Sequence, residues 1–186
     1  GSQSPLYLRR NYNRNSTSRR GVFGTVWFSN LDIALRFAFV GGGFCDALPG
    51  QTTACITQAT ASPNIKTVYR LKDNGSMIAY NRNPSTGNWE DSSIVADDKI
   101  IRNPNGTWYI ASRSGSIENY NANGYITSLV DSTGATTTYS YLSNYLQSVT
   151  HPGGRTIRIT WNGTLVSSVI DPAGTKYGYF YNSQAH

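Results

Sequence analysis

The chain has 186 residues, a formal net charge of +6 at neutral pH and only 14% charged residues. This length allows one domain, or a small domain followed by an array of repeats. Tyrosine (13), phenylalanine (6), tryptophan (4) and glycine (18) are abundant, and no long stretch has helical periodicity. No stretch approaches the roughly 20 apolar residues of a membrane-spanning helix. The composition therefore predicts an all-β protein and no membrane span.

Residues 1–40 form the first predicted segment, with an extended pattern. Leu35, Phe37 and Phe39 alternate with other residues, as expected for a half-buried strand. The first twenty residues contain five arginines and no acid: Arg9, Arg10, Arg14, Arg19 and Arg20. Such a basic segment fits binding to nucleic acid or to an anionic polysaccharide. We favour the simpler interpretation, an extended segment that is solvated or packed on a partner.

Residues 41–115 are predicted to form irregular β-hairpins interrupted by two loops, 41–64 and 83–98. One hairpin is centred on Asn74-Gly75 and a second on Asn105-Gly106. Asn-Gly between apolar segments is a strong hairpin signal, because both residues accept the positive φ angles of a type I′ turn.

The first loop contains both cysteines of the chain, Cys45 and Cys55. A short-range disulfide between them is expected in an oxidising compartment. The alternative is two unpaired thiols in a protein that assembles in the cytosol. We favour the disulfide, because both cysteines lie in loop-like sequence. The chain has no Cys-x-x-Cys motif and no histidine cluster, so we predict neither a metal site nor a cofactor.

Residues 116–186 repeat with a period of 20. Three equivalent stretches begin with serine and end with glycine: 128–134, 148–154 and 168–174. A fixed period indicates one supersecondary unit that is copied along the chain, each copy burying its apolar face against its neighbours. With two strands in each period, the repeat predicts a continuous antiparallel meander.

Two kinds of turn separate the strands of this meander. One is Asn-Gly, at Asn123-Gly124 and Asn162-Gly163, with Ser143-Asn144 as a weaker signal at the equivalent place. The other is the Asp/His-x-x-Gly element, whose glycine is expected in a left-handed conformation.

The strands between these turns alternate between an apolar and a polar face. Ile157, Ile159 and Trp161 share one face, whereas Arg158 and Thr160 share the other. Alternation of this kind is typical of half-buried antiparallel strands.

No pair of catalytic residues is evident, so we predict that the chain is not an enzyme. His151 occupies the turn position held by Asp131 and Asp171 in the other repeats, and we expect it to have a turn role. The adjacent acids Glu90-Asp91 and Asp97-Asp98 would point to opposite faces of an extended chain. Neither pair is therefore a ready acid–base couple.

One longer motif supports a family resemblance. Residues 115–134 have the order Gly-Ser-Ile-Glu-Asn-Tyr-Asn-x-x-Gly-Tyr-Ile-Thr-Ser-Leu-Val-Asp-x-x-Gly, and tyrosine-rich strands follow. This order resembles the YD repeats of Rhs proteins, the bacterial relatives of teneurin shells. Residues 6–13 and 21–27 resemble the start of the Rhs core. The likeness fails in the two predicted loops, and Tyr120-Asn121 stands where the family has its Tyr-Asp pair.

The resemblance implies a hollow β-shell that encloses a C-terminal toxin until the toxin is delivered to a rival bacterium. The chain would be an amino-terminal fragment of the core, an open piece of a larger shell, and would be secreted or displayed at the cell surface. Its partners would be the rest of the shell and the enclosed toxin, which aromatic side chains could contact.

The alternative function is a cell-surface carbohydrate-binding or adhesion module. Exposed aromatic rings would stack on sugars, and arginines would recognise acidic glycans. Under either hypothesis the candidate contact residues are Tyr139, Tyr141, Trp161, Tyr179, Tyr181, Arg9 and Arg10. A third interpretation, at least as well supported, is that these aromatic side chains only pack against neighbouring strands.

The last strand of the meander, near residues 175–181, is expected to be an unpaired edge. Its N–H and C=O groups would lack partners, so we predict that it self-associates with another chain.

Overall fold

The computed structural model describes residues 8–15, 21–51, 64–91 and 98–181. These ranges contain sixteen β-strands and no α-helix. The first eight are β1 (Arg10–Tyr12), β2 (Trp27–Ser29), β3 (Ala34–Phe39), β4 (Phe44–Asp46), β5 (Ile65–Leu71), β6 (Met77–Arg82), β7 (Trp89–Asp91) and β8 (Lys99–Arg102). The others are β9 (Trp108–Ala111), β10 (Ile117–Tyr120), β11 (Ile126–Val130), β12 (Thr136–Leu142), β13 (Tyr145–Thr150), β14 (Thr156–Asn162), β15 (Leu165–Ile170) and β16 (Lys176–Gly178).

Fourteen of the described strands form one open antiparallel sheet that almost follows chain order. From β5 to β16, each strand pairs with the next along the chain. The single departure is β3, which lies between β4 and β5. β1 and β2 pair with each other as a separate two-stranded ribbon. The predicted all-β antiparallel meander is therefore confirmed.

Both predicted loops contain a short strand that alternation could not reveal. β4 pairs with β3, and β7 pairs with β6 and β8. Each strand has three residues, fewer than a period-2 pattern needs to be recognised. The remaining parts of the loops at 52–63 and 92–97 lie outside the described residues.

The hairpins at the Asn-Gly pairs are confirmed, but the predicted turn type is wrong. At Asn123-Gly124 only the glycine has a positive φ, of 87°. The Gly124 N–H donates to the Asn121 carbonyl, and the Asn121 N–H donates to the Tyr125 carbonyl. These bonds define a three-residue loop with glycine in the left-handed position. The pairs at 74–75 and 105–106 likewise have a positive φ at glycine alone.

Two-residue turns occur in the later repeats instead. Ser143 and Asn144 have φ angles of 50° and 62°, so the weaker sequence signal forms the type I′ turn. In the next repeat the two loop residues are Gly163 and Thr164, of which only Gly163 has a positive φ. A positive φ at the first loop residue is the pattern of a type II′ turn.

The Asp-x-x-Gly turns close the other end of each repeat, as predicted. The Asp131 carboxylate accepts hydrogen bonds from the Thr133 N–H, the Thr133 hydroxyl and the Ala135 N–H. Its hydrogen bonds with Thr133 lower the pKa of Asp131. Asp171 accepts the same two backbone bonds, from Ala173 and Thr175. The side chain thus replaces backbone partners that a tight turn leaves open.

Each repeat contains a β-bulge at the same position. Gln147 is an extra residue that has no partner opposite it on β12. The extra residues of the neighbouring repeats are Thr127 and Ser167. The bulge brings Leu146 and Val149, three positions apart, into the same core, although residues at odd spacing point to opposite faces of a regular strand. Bulges also increase local twist, which helps the sheet to curl.

The curl brings early strands of the sheet against later ones. Phe37 on β3 packs against Trp108 on β9, with ring centroids 5.5 Å apart, although four strands lie between them in the sheet. The Leu35 N–H donates to the Gly124 carbonyl at 2.8 Å. The core inside this curl consists of Leu35, Phe37, Ile65, Val68, Tyr80, Trp89, Ile100, Trp108, Ile110, Tyr120 and Ile126.

A second core lies on the inner face of the last repeats. Its members are Val22, Phe23, Leu146, Val149, Ile157, Ile159, Val166 and Val169. The Val22 carbonyl accepts a hydrogen bond from the Val166 N–H at 2.9 Å. Asp32 is 2% exposed and accepts hydrogen bonds from the Val22 N–H and from Ser29. The segment before β3 is thereby fixed over β13–β15.

Candidate functional site

The inner and outer faces of the repeats differ in chemistry as predicted. On β14, Ile157 and Ile159 are buried and Trp161 is half-buried, whereas Arg158 and Thr160 are exposed. On β12, Tyr139 and Tyr141 face inward, and the alternate residues Thr136, Thr138 and Ser140 are exposed. A ligand or cargo on the inner face would meet aromatic and aliphatic groups, and one on the outer face would meet hydroxyls and the Arg158 guanidinium.

Tyr139, Tyr141 and Trp161, three of the candidate contact residues, are half-buried side chains that pack on the second core. The Trp161 indole N–H donates to the Leu146 carbonyl at 2.8 Å. The Tyr141 ring lies edge-on to Tyr125, with centroids 5.3 Å apart. Each of these side chains therefore has a packing role within the chain.

A small cavity of about 30 Å³ lies beside these side chains. Tyr125, Tyr141 and Trp161 contribute to its wall, together with Asp32 and Asn144. Its size suits a water molecule rather than a sugar ring.

Tyr179 and Tyr181 follow β16 and pack back on the repeat. The Tyr181 hydroxyl donates to the Val166 carbonyl at 2.7 Å. The Tyr179 N–H donates to the Ser167 carbonyl at 2.9 Å, and its ring lies edge-on to Phe23 at 4.9 Å. These contacts connect the end of the described chain to the segment before β3.

The two candidate arginines have different surroundings in the structure. The guanidinium of Arg10 lies 5.3 Å from the centroid of the Tyr179 ring, so these two candidate residues are brought together. Arg9 is exposed, and its Nε donates to the Asn11 side chain at 3.1 Å.

Two exposed aromatic residues on the β1–β2 ribbon were missed by the sequence reasoning. Tyr12 is 59% exposed and Trp27 is 40% exposed, and their ring centroids lie 5.2 Å apart. They lie opposite each other in the ribbon. Each of the two strands has only three residues, too few for an alternating sequence pattern to predict this pairing.

A buried ionic cluster was also missed. Arg70 on β5 donates to Glu118 on β10 through Nε (2.9 Å) and Nη2 (2.6 Å), and to Asp98 through Nη1 (2.8 Å). The Tyr120 hydroxyl donates to Glu118 at 2.6 Å. A signal was present, because Arg70 shares a strand face with buried Val68, and Glu118 shares one with Tyr120.

The surroundings hold this cluster in one protonation state. Burial disfavours the charge of Arg70, but the hydrogen bonds and negative charge of Glu118 outweigh this effect and raise the pKa of Arg70. Burial, followed by the charge of Glu118, raises the pKa of Tyr120 well above its ordinary value. The cluster is therefore a stable ion pair with a neutral phenol at neutral pH.

Other inner-face phenols are neutral as well. Burial raises the pKa of Tyr80 and that of Tyr125 to about 12. Burial, with Tyr139 nearby, also raises the pKa of Tyr141. These tyrosines contribute apolar surface, and the Tyr125 hydroxyl also donates a hydrogen bond to the Leu48 carbonyl.

Cys45 lies in a short edge strand rather than in the loop that was predicted. It is buried and disulfide-bonded, and Gln51 Nε2 approaches its sulfur at 3.7 Å. Cys55 lies outside the described residues, so the bond between the two predicted partners stays a prediction.

Neither a metal-binding cluster nor a membrane-spanning helix is present in the part of the chain that the structure describes. Within those ranges, no group of three or more His, Cys, Asp and Glu side chains is arranged to hold a metal ion. The same residues include no helix with the length and apolarity needed to cross a membrane.

Comparison of the chain with protein-family models and with curated proteins gives no match.

Proposed function

We propose that the chain is a structural part of an Rhs-like YD-repeat shell that encloses a C-terminal toxin for interbacterial competition. The observation that carries the proposal is the regular growth of the sheet. Each 20-residue period adds two antiparallel strands, an Asp/His turn and one bulge to the same edge. A wall that extends by identical steps can reach any length without a new fold.

The curl and the inner face give further support. A flat sheet encloses nothing, whereas this one bends until β3 meets β9. Its inner face carries aromatic side chains, which offer large apolar contact areas to an incompletely folded cargo. We propose no catalytic role for the chain itself, and we propose that it acts outside the producing cell.

The segment around Val22 and Phe23 has a distinct place in this proposal. It already covers part of the inner face of the last repeats, so we propose that it closes one end of the enclosed space. The rings of Tyr139, Tyr141, Trp161 and Tyr179 all pack against the second core. Cargo contact at these candidate residues would then involve only the parts of the half-buried rings that remain exposed.

The test uses the complete product of the gene that encodes this chain. We expect its sequence to continue after residue 186 with further 20-residue periods and to end in a domain of different composition. In the purified product, that domain should resist a protease concentration that digests the same domain alone. Digestion at equal rates, or a gene product without such a domain, would contradict the proposal.

A second candidate function is carbohydrate binding, which the exposed pair Tyr12 and Trp27 favours. Two neighbouring exposed rings, one of them 5.7 Å from the Arg10 guanidinium, could stack on sugars and attract an acidic glycan. Titration with polygalacturonate tests this function. Saturable binding that is lost in Trp27→Ala but kept in Tyr177→Ala, an exposed tyrosine of the main sheet, would support it; no binding would remove it.

A further inference from the structure

The side chain of Arg10 is surrounded by three aromatic rings. Its guanidinium carbon lies 5.3 Å from the ring centroid of Tyr179, 5.6 Å from that of Phe23 and 5.7 Å from that of Trp27. All three distances lie within the roughly 6 Å over which a cation is attracted to a ring face. The other arginine–ring contacts seen in the described residues, at Phe44, Trp89 and Trp108, involve one ring each.

The three rings are held in place by contacts other than Arg10. Phe23 is 5% exposed and belongs to the second core. Tyr179 packs edge-on to Phe23, and its backbone N–H donates to Ser167. Trp27 is held by strand pairing with Tyr12 and by the contact between their rings. Phe23 and Tyr179 are therefore held by the second core, and Trp27 is held by the β1–β2 ribbon.

The aromatic cage that these three rings form is open to solvent. Arg10 is exposed, and Trp27 is 40% exposed. Among the described residues, no carboxylate forms an ion pair with Arg10, unlike Arg36 and Arg70, which bind Asp46 and Glu118. The rings are thus the principal partners of this guanidinium.

We propose that Phe23, Trp27 and Tyr179 form a binding site for guanidinium cations, which Arg10 occupies from within the same chain. Occupation by Arg10 fastens the β1–β2 ribbon to the last repeat. A guanidinium suits the site better than an ammonium group, because it is planar and more weakly hydrated and can stack on ring faces. The inference is independent of the toxin-shell proposal, since it concerns only these four side chains.

A variant that lacks the Arg10 side chain, and so leaves the cage unoccupied, tests the proposal. Arg10→Ala should bind added methylguanidinium saturably, with chemical-shift changes at the Trp27 indole and at the Tyr179 ring. The unsubstituted protein should bind it at least about tenfold more weakly, because the tethered Arg10 competes for the site. Arg9→Ala, which removes a neighbouring exposed arginine, should behave like the unsubstituted protein. Tetramethylammonium should bind Arg10→Ala more weakly than methylguanidinium does.

Two results would overturn the proposal. The first is absence of saturable binding to Arg10→Ala while nuclear Overhauser effects between Phe23 and Tyr179 show that the rings are still in contact. The second needs no change at Arg10 and applies even if that variant does not fold. In the unsubstituted protein, the side-chain protons of Arg10 should be shifted upfield by the ring currents, and those of Arg9 should not; random-coil shifts at both would refute the cage.

Discussion

Gly124 lies in a turn that packs closely against β3. A Cβ at this position would lie 3.0 Å from the Leu35 Cβ and 3.1 Å from the Phe37 ring. Gly134, in an Asp-x-x-Gly turn, has the same φ of +87°, but a Cβ there would meet no atom within 4 Å. Alanine substitution at these two glycines therefore distinguishes the free-energy cost of the left-handed backbone conformation from the free-energy cost of packing a side chain against β3.

Alanine substitution at these two positions should give unequal losses of stability. Gly134→Ala should lower the free energy of unfolding by about 1–2 kcal/mol, the cost of a left-handed conformation for a residue with a side chain. Gly124→Ala should cost a further 1–3 kcal/mol or so, because the methyl group overpacks the contact with β3. Urea denaturation of both variants measures the difference. Equal losses would show that the 123–124 turn does not touch β3.

The ionic cluster should show strong coupling between its partners. Glu118→Gln leaves Arg70 buried with only Asp98 as an anionic partner, so we expect a loss of about 3–5 kcal/mol in unfolding free energy. The double variant Arg70→Met/Glu118→Leu should lose less than Glu118→Gln, because no buried charge is left unpaired. A double-mutant cycle in urea, made of Arg70→Met, Glu118→Leu and the double variant, checks this. Additive losses from the single variants would contradict a direct ion pair.

These residues show where the sequence was informative and where it was not. Alternation placed Ile157, Ile159 and Trp161 on one face because that information is local to a strand. The partner of Arg70 lies 48 residues away on β10, and only the curl of the sheet brings the two together. Nothing local to either strand specifies such a pairing.

At the level of single elements, a β-bulge recurs in every repeat of the last third of the chain. Thr127, Gln147 and Ser167 are its extra residues. The sequence repeat indicated two strands in each period, but not that one of them carries an extra residue. The apolar spacing of three within each period was the available signal, because a regular strand cannot bury both residues on one face.

Deleting Gln147 should remove one bulge while keeping Leu146 and Val149 on the inner face. We expect a loss of about 1–3 kcal/mol in unfolding free energy, a usual size for a disrupted backbone feature. The reduced twist should also move the 143–144 turn, so the Gly50 N–H should lose its bond to Asn144 and its protection from hydrogen exchange. Gln147→Ala, which keeps the extra residue, should change stability by less than about 0.5 kcal/mol. Unchanged protection at Gly50 after the deletion would contradict a role of the bulge in shaping the sheet.

Short strands limited the prediction at this scale. β4 and β7 fell within predicted loops because three residues carry no readable pattern, and they form only because longer neighbours offer open edges. The turn types were misassigned for a related reason. An Asn-Gly pair suits two loop lengths, and strand register rather than the dipeptide decides between them.

At the scale of the whole molecule, the sheet has an edge strand at each end of its order, β4 and β16. β16 is exposed at all three of its residues; Tyr177 is 52% exposed, and nearby Phe180 is 97% exposed. We expect this edge to pair with another copy of the chain, since its outward N–H and C=O groups offer a template for a further strand.

Light scattering coupled to size exclusion should therefore detect self-association that rises with concentration. Tyr177→Lys should weaken the association, because a charge on an edge strand opposes further pairing. Ser140→Lys adds the same charge to an exposed position of the interior strand β12 and should leave the association unchanged. A monomer at every concentration would count against pairing through β16.

The 20-residue period is a self-similar building unit of the sheet. The most direct test inserts a second copy of residues 143–162 after Asn162, with a scrambled insert of the same composition as the control. We expect a folded chain whose m-value increases with the added buried surface. The amides of the copy should be as well protected from hydrogen exchange as those of β13 and β14 in the original. Unprotected amides throughout the copy, or unfolding of the entire chain, would contradict the claim.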